Sequence, residues 1–364
     1  MLTVVAKIGS SSLTNEQGAI NPESIEGVCE QVARLRADGH RVVVVTSAAV
    51  AAGLDAVGLG GRRPTDMLTL QAVSAVGQSR LMRVWDDSFA AHGLVSGQVL
   101  LTPYDFFARA QYLHARDTFV RLLELGVVPV VNENDAIADD ELRFGDNDRI
   151  AALVAHMIGA DVLVLLTDTA GLFTANPRTH ADATLIPYVD VVTPELEAMA
   201  GGAGSPHGSG GMVSKLRAAR IASFSGVRAV IAGSRRDNGL VDAVAGVDGV
   251  GTTVRPHDRR LSARKLWIGF AVDTAGRLTV DAGARQALME RGVSLLPAGV
   301  RAVSGSFAEG DAVEICGPDG VVFARGLCRY SAEDAAGVAG RRSADLSDEA
   351  PAVMVHRDDL VVLG

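Results

Sequence analysis

Thr3-Val4-Val5-Ala6-Lys7-Ile8-Gly9-Ser10-Ser11-Ser12 begins as a short β-branched run and breaks into a turn of glycine and serine. Further on, Ile25, Cys29, Val32 and Leu35 recur about once per helical turn, and Val42-Val43-Val44-Val45 then runs into Thr46-Ser47. Asn21-Pro22 suits an N-cap and first helical position, and Gly39 suits the stop. Strand, helix, strand in that order is the repeating unit of a parallel sheet, because parallel neighbours need a crossover between them. Apolar runs at Val127–Val131, Val162–Leu166 and Ala229–Ile231 continue the alternation. They are unbroken rather than alternating, as in strands covered on both faces. The expected fold class is α/β, with a mostly parallel central sheet sandwiched by helices.

The length of 364 residues suits two domains. Hydrophobic residues make up 48 % and charged ones 21 %, which supports a large core and argues against disorder. The pattern changes after Val254. Arg255 to Arg264 is almost wholly polar and suits a linker. Beyond it, Asp281–Gly292 has the look of one helix. Ala312–Cys316 and Val321–Arg325 flank the turn Gly317-Pro318-Asp319-Gly320 as a hairpin would. The expected division is 1–255 for the α/β domain, 256–273 for the linker and 274–364 for a small β-rich domain.

A net charge of −9 and a pI of about 5.4 give no bulk attraction to nucleic acid. Cys29, Cys316 and Cys328 are too few and scattered for a disulfide framework or a zinc site, and read as buried apolar groups. The chain starts directly on a strand-like run, and no apolar stretch reaches the ~20 residues of a membrane span. A soluble, cytoplasmic protein is expected, with no membrane contact.

In open α/β sheets ligands bind beyond the carboxyl ends of the strands. Four apolar runs end in polar groups: Lys7-Ile8-Gly9-Ser10, Thr46-Ser47-Ala48, Asn132-Glu133-Asn134-Asp135 and Thr167-Asp168. Lys7, in its glycine-serine turn, can set an ammonium on a phosphate, although alone it reads as well as a solvated surface lysine. Gly208-Ser209-Gly210-Gly211-Met212-Val213-Ser214-Lys215 feeds a helical pattern, so its backbone could meet an anion at a helix N-terminus. It is not a Walker loop, and a flexible loop ahead of a helix would look similar. Gly145-Asp146-Asn147-Asp148 precedes another helical pattern and holds more polar groups than a cap needs. The surplus suggests binding a substrate amine or ordering the lysines. The eight histidines show neither metal nor triad spacing.

Taken together, these strings and Gly171-Leu172-Phe173-Thr174 resemble the glutamate 5-kinases of the amino-acid kinase superfamily. Asp281–Ala284, Ser294–Pro297 and Gly305 to Asp311 resemble the PUA domain that many of them carry at the C-terminus. The resemblance covers nearly the whole chain. It implies ATP and L-glutamate as substrates, with Mg²⁺ carried by the nucleotide and no protein-held metal. It implies catalytic roles for Lys7, Lys215 and Asp148, the aspartate that holds both lysines. It implies ATP contacts from Lys7, Gly9, Thr167, Asp168, Ser209, Gly210, Gly211, Met212, Val213, Ser214 and Lys215. Glutamate would meet Ser47, Ala48, Asp135 and Asn147. Feedback by proline and a homodimer or homotetramer are further implications. Two departures stand out. Ala48 takes the place of a usual glycine, and Ser209 and Ser214 stand where threonine is common.

Rival readings are a superfamily kinase for acetylglutamate, aspartate or a nucleoside monophosphate, or an RNA-binding regulator acting through the C-terminal domain. Asn132–Asp135 and the tail domain argue against the first. Against the second, Arg325, Arg329, Arg341 and Arg342 have only Phe323 and Tyr330 as aromatic neighbours.

Overall fold

The computed structural model describes residues 1–60, 63–106, 108–137, 147–201, 211–258, 260–342 and 351–363. The chain divides into two compact units, Met1–Arg260 and Leu261–Gly364.

The first unit is built on an eight-stranded sheet in the order β3-β4-β2-β1-β5-β7-β8-β6. Its strands are β1 (Thr3–Ile8), β2 (Arg41–Val45), β3 (Ser96–Leu101), β4 (Val128–Glu133), β5 (Val162–Thr167), β6 (Tyr188–Val189), β7 (Arg228–Gly233) and β8 (Thr252–Val254). All neighbours are parallel except β7 and β8. β1 lies between β2 and β5, with Lys7 level with Val45 on one side and Leu165 on the other. The parallel strands from β3 to β7 therefore deliver their carboxyl ends to one edge.

The helices are α1 (Ser10–Leu13), α2 (Pro22–Ala37), α3 (Ala49–Leu54), α4 (Met67–Ala91), α5 (Arg109–Glu124), α6 (Asn147–Met157), α7 (Pro194–Ala200), α8 (Met212–Phe224) and α9 (Gly239–Ala245). Local chemistry sets their starts. The Asn21 side chain accepts from the Glu23 N–H at 3.1 Å with Pro22 in the first turn, and Asp66 accepts from the Thr69 N–H at 2.9 Å ahead of α4. α2 packs against α4 and α9, and α6 packs against α8. Ile25, Cys29, Val32 and Leu35 of α2 join Val4, Ala6, Val42 and Val44 in one buried core. Among the described residues no helix is long and apolar enough to cross a membrane.

The second unit holds a five-stranded sheet in the order β10-β9-β11-β12-β13. It opens with α10 (Ala263–Leu266), capped by Ser262, followed by a wide helical turn at Trp267–Ala271, so residues 263–271 within the expected linker are helical. Then come β9 (Gly276–Val280), α11 (Ala282–Arg291), β10 (Val300–Gly305), β11 (Ala312–Cys316), β12 (Val322–Cys328), α12 (Ala332–Val338) and β13 (Val355–Val362). The hairpin read from the sequence is β11 and β12, paired antiparallel. Asp281 caps α11, accepting from the Ala284 N–H at 2.8 Å. Leu278, Val300, Val313, Phe323 and Val355 belong to this unit's own core.

Candidate active site

Lys7 is the fifth residue of β1, and its side chain lies beside the N-terminus of α6. Its ammonium stands 2.7 Å from Asp148 Oδ1, and the ammonium of Lys215, from the first turns of α8, stands 3.1 Å from Asp148 Oδ2. The Ser214 hydroxyl donates to the same Oδ2 at 2.8 Å. Lys7 and Lys215 are each 4 % exposed and Asp148 1 %. Burial would push the Asp148 carboxyl up, but the two ammonium groups and the hydrogen bonds from Lys7 and Ser214 outweigh it and hold the pKa at about 2. Gly9 borders this cluster: a Cβ there would lie 3.5 Å from Lys7 Nζ.

Asn147, the residue before Asp148, faces a different set of partners. Its amide donates to Ser47 Oγ at 3.1 Å and its carbonyl accepts from the Glu133 N–H at 3.2 Å. The first turn of α6 thus ties together the ends of β1, β2, β4 and α8. Ala48 follows Ser47 in the left-handed region, φ 78° and ψ 20°, and caps α3.

Asp135, just past β4, is a buried carboxylate of the opposite kind. Among the described residues no lysine, arginine or histidine pairs with it, and Ser74 Oγ donates to its Oδ2 at 2.8 Å. Burial pushes its pKa up, against smaller lowering effects from the Ser74 hydrogen bond and the Arg63 charge. The two aspartates therefore differ by environment. Asp148 is held by two ammonium groups, whereas among the described residues Asp135 is held by a hydroxyl.

On the other side of β1, Thr167 Oγ1 donates to Asp168 Oδ1 at 3.2 Å, and Arg178 holds Asp168 Oδ2 at 2.6 Å. Gly211 stands at the N-cap of α8, with Met212 and Val213 in its first turn. A cleft of about 700 Å³ opens beside these strand ends, lined in part by Ile8, Ser11, Ser12, Ser234 and Arg235. Ser209 and Gly210, like Gly145 and Asp146, lie outside the described residues. Lys7, Lys215, Asp148, Ser214, Asn147 and Ser47 come together through direct bonds. Thr167 and Asp168 form their own pair one strand away.

The sequence reading missed α4. Trp85 Nε1 donates to Thr46 Oγ1 at 3.0 Å, and Gln78 accepts from Asn132 at 3.3 Å and donates to the Glu133 carbonyl at 3.2 Å. Polar Ser74 and Gln78 in helical register with Leu70, Leu81 and Trp85 were the available signal.

An α/β sheet whose strand ends gather two buried lysines on one aspartate, with a second buried carboxylate just past β4, suits a small-molecule phosphotransferase. Comparison narrows the class. Residues 2–233 match the Amino acid kinase family and residues 276–349 the PUA domain. The chain is 47 % identical to a glutamate 5-kinase of Myxococcus xanthus over 99 % of its own length and 96 % of the relative's. It is 45 % identical to one of Pseudomonas putida and 44 % identical to one of Pelobacter propionicus, covering 99 % of this chain and 97 % of the relative in each case. A solved isopentenyl phosphate kinase superposes with a TM-score of 0.50 at 20 % identity, covering 69 % of this chain and 99 % of that one, a likeness of fold alone. The chain belongs to the amino acid kinase family, in the branch formed by the glutamate 5-kinases.

Proposed function

We propose that this protein transfers the γ-phosphoryl group of ATP to the γ-carboxylate of L-glutamate, giving L-glutamyl 5-phosphate and ADP, the first step of proline synthesis. The observation that carries the reading is the convergence of Lys7 and Lys215 on Asp148. A carboxylate oxygen attacks phosphorus, the bond from phosphorus to the bridging oxygen of ADP breaks, and ADP leaves with that electron pair. Glutamate's side-chain carboxyl ordinarily titrates near pH ~4.3, so it is ionised at neutral pH and no general base is required. The barrier is the approach of an anion to a polyanion, which positioning and charge neutralisation must lower. Lys7 and Lys215 supply two fixed cations. Asp148 holds them in place, and with both its oxygens engaged it serves as neither base nor metal ligand. Mg²⁺, held by the nucleotide's own oxygens and water, supplies further neutralisation when bound.

On the acceptor side, Asp135 takes the substrate's ammonium group, while Ser47, Ala48 and Asn147 take its carboxylate oxygens. On the nucleotide side, Gly9, Thr167, Asp168 and the stretch Ser209–Lys215 hold ATP, with the N-terminus of α8 favouring negative charge. The family resemblance adds a cytoplasmic homodimer or homotetramer and proline as a competing inhibitor. Displacement of labelled proline by glutamate tests the last point.

The test of the activity is ATP turnover with L-glutamate in the presence of hydroxylamine, which traps the acyl phosphate as a hydroxamate. Glutamate should outpace acetylglutamate, aspartate and nucleoside monophosphates. Lys7→Ala should lower turnover by ~10²-fold or more, by analogy with removal of one preorganised donor. Preference for another acceptor, or near-normal turnover in Lys7→Ala, would overturn the assignment.

A further inference from the structure

Helix α4 turns one face toward the acceptor side. Ser74, Gln78, Leu81 and Trp85 fall within about 60° of arc at the α-helical rotation per residue. Its three polar members reach two strand ends: Trp85 holds Thr46 after β2, while Gln78 holds Asn132 and Glu133 at the end of β4 and Ser74 holds Asp135 just past it. Ser74 is fully buried. A serine inside a helix commonly bonds back to a carbonyl one turn earlier. Here the hydroxyl donates instead to Asp135 Oδ2 at 2.8 Å, from another element of the chain.

We propose that Ser74 is a positioning residue for acceptor recognition: its hydroxyl fixes one oxygen of Asp135 and turns the other toward the substrate's ammonium group. The inference rests on the reading of Asp135 as the ammonium site. Burial disfavours the charged form of Asp135. A protonated Asp135 would offer an ammonium ion much less. Two groups work against protonation, the Ser74 donor on α4 and the Arg63 charge in the segment before α4. Glu133 lies two residues back on β4, and Gln78, the next residue on the same face of α4, is uncharged. Among the described residues Oδ1 of Asp135 has no donor, so the anchored Oδ2 leaves it for the ligand.

The test is Ser74→Ala, which removes the donor with little change in volume, assayed by hydroxamate formation. The expected result is a rise of about tenfold in KM for glutamate, the effect of losing a hydrogen bond to a charged group. KM for ATP and kcat should hold. The acid limb of kcat/KM for glutamate should move to higher pH, because without its donor Asp135 protonates sooner as pH falls. Ser74→Cys, with a weaker donor, should fall between, and it reads the same shifts should the alanine variant fail to fold. In an Asp135→Asn background Ser74→Ala should add nothing further. An unmoved acid limb, or a KM for ATP that rises in step with that for glutamate, assigns Ser74 to packing and overturns the inference. A wild-type protein that forms no hydroxamate from glutamate instead removes the functional reading on which it rests.

Discussion

Asp148 and Asp135 are the same residue type, both buried near strand ends, yet their surroundings shift them in opposite directions. The ammonium pair lowers one pKa and burial raises the other. For Asp148 the consequence for stability has a definite sign. Its folded pKa of about 2 lies below the ordinary aspartate value of 3.8, so it contributes about 2 kcal/mol above pH 4. That contribution is lost as pH falls through the folded pKa. Asp148→Asn should flatten the acid side of the stability curve and lower stability at neutral pH, since it takes the carboxylate away from two buried ammonium groups. Urea titrations between pH 2 and 7 read both effects, and an unchanged acid slope would show that the lysines do not depend on Asp148. Ala48 makes a second residue-scale case. It occupies φ 78°, where an L-residue costs roughly 1–2 kcal/mol and glycine costs little. Ala48→Gly should raise the denaturant midpoint by an amount worth roughly 0.5–1 kcal/mol, after the unfolded-state entropy of glycine is set against the relief. The strained position was legible in the sequence, because an alanine stood where the resembling family has glycine. Ser74 was not, because a serine in register with Gln78 marks a polar face but carries no sign of the partner it will meet across the fold.

At the scale of elements, α6 is where the two halves of the site meet. Consecutive residues of its first turn face Ser47 and Glu133 through Asn147 and the lysines through Asp148. The strands that bring those groups together were legible as unbroken β-branched runs, because burial on both faces leaves no room for polar alternation. β3 was not: Ser96-Gly97-Gln98 breaks the run, as an edge strand with partial exposure allows. Nor was the tight crossing of α3 and α4, which depends on two glycines far apart in the chain. A Cβ on Gly77 would lie 1.7 Å from the Ala49 carbonyl oxygen, and one on Gly53 would lie 2.1 Å from that of Val73. Ala49 directly follows Ala48, so a shift of α4 is passed to the Ser47–Ala48 turn. Gly77→Ala should therefore cost roughly 1–3 kcal/mol, as overpacking does, and raise KM for glutamate more than KM for ATP. Gly27→Ala, on the exposed face of α2 with nothing within 4 Å of the added carbon, should be neutral or stabilising by about 0.5–1 kcal/mol. Equal responses at the two positions would show that the crossing does not set the Ser47–Ala48 turn.

Across the whole molecule, each unit has its own sheet and its own core. The sequence pattern changes after Val254, close to the division at Arg260, as hairpin turns and short strands obey different local rules from crossover units. The lysines, the aspartates and the Ser47–Ala48 turn all belong to the first unit. The second offers a shallow hollow of about 530 Å³ lined by residues such as Arg285, Met289 and Pro318. Ligand protection should follow that inequality. A ligand that binds the folded state suppresses local opening where it makes contact. Hydrogen exchange with MgADP and glutamate should slow at the β1–α1 turn, at Thr46–Ala49, at Glu133–Asp135 and in the first turns of α6 and α8. Residues 276–342 should exchange at their unliganded rate. Slowing confined to α11 and the hairpin turn at Pro318 would move the nucleotide or the acid to the second unit. The paired lysines would then be a structural ion cluster of the core, not the cationic end of a phosphoryl-transfer site.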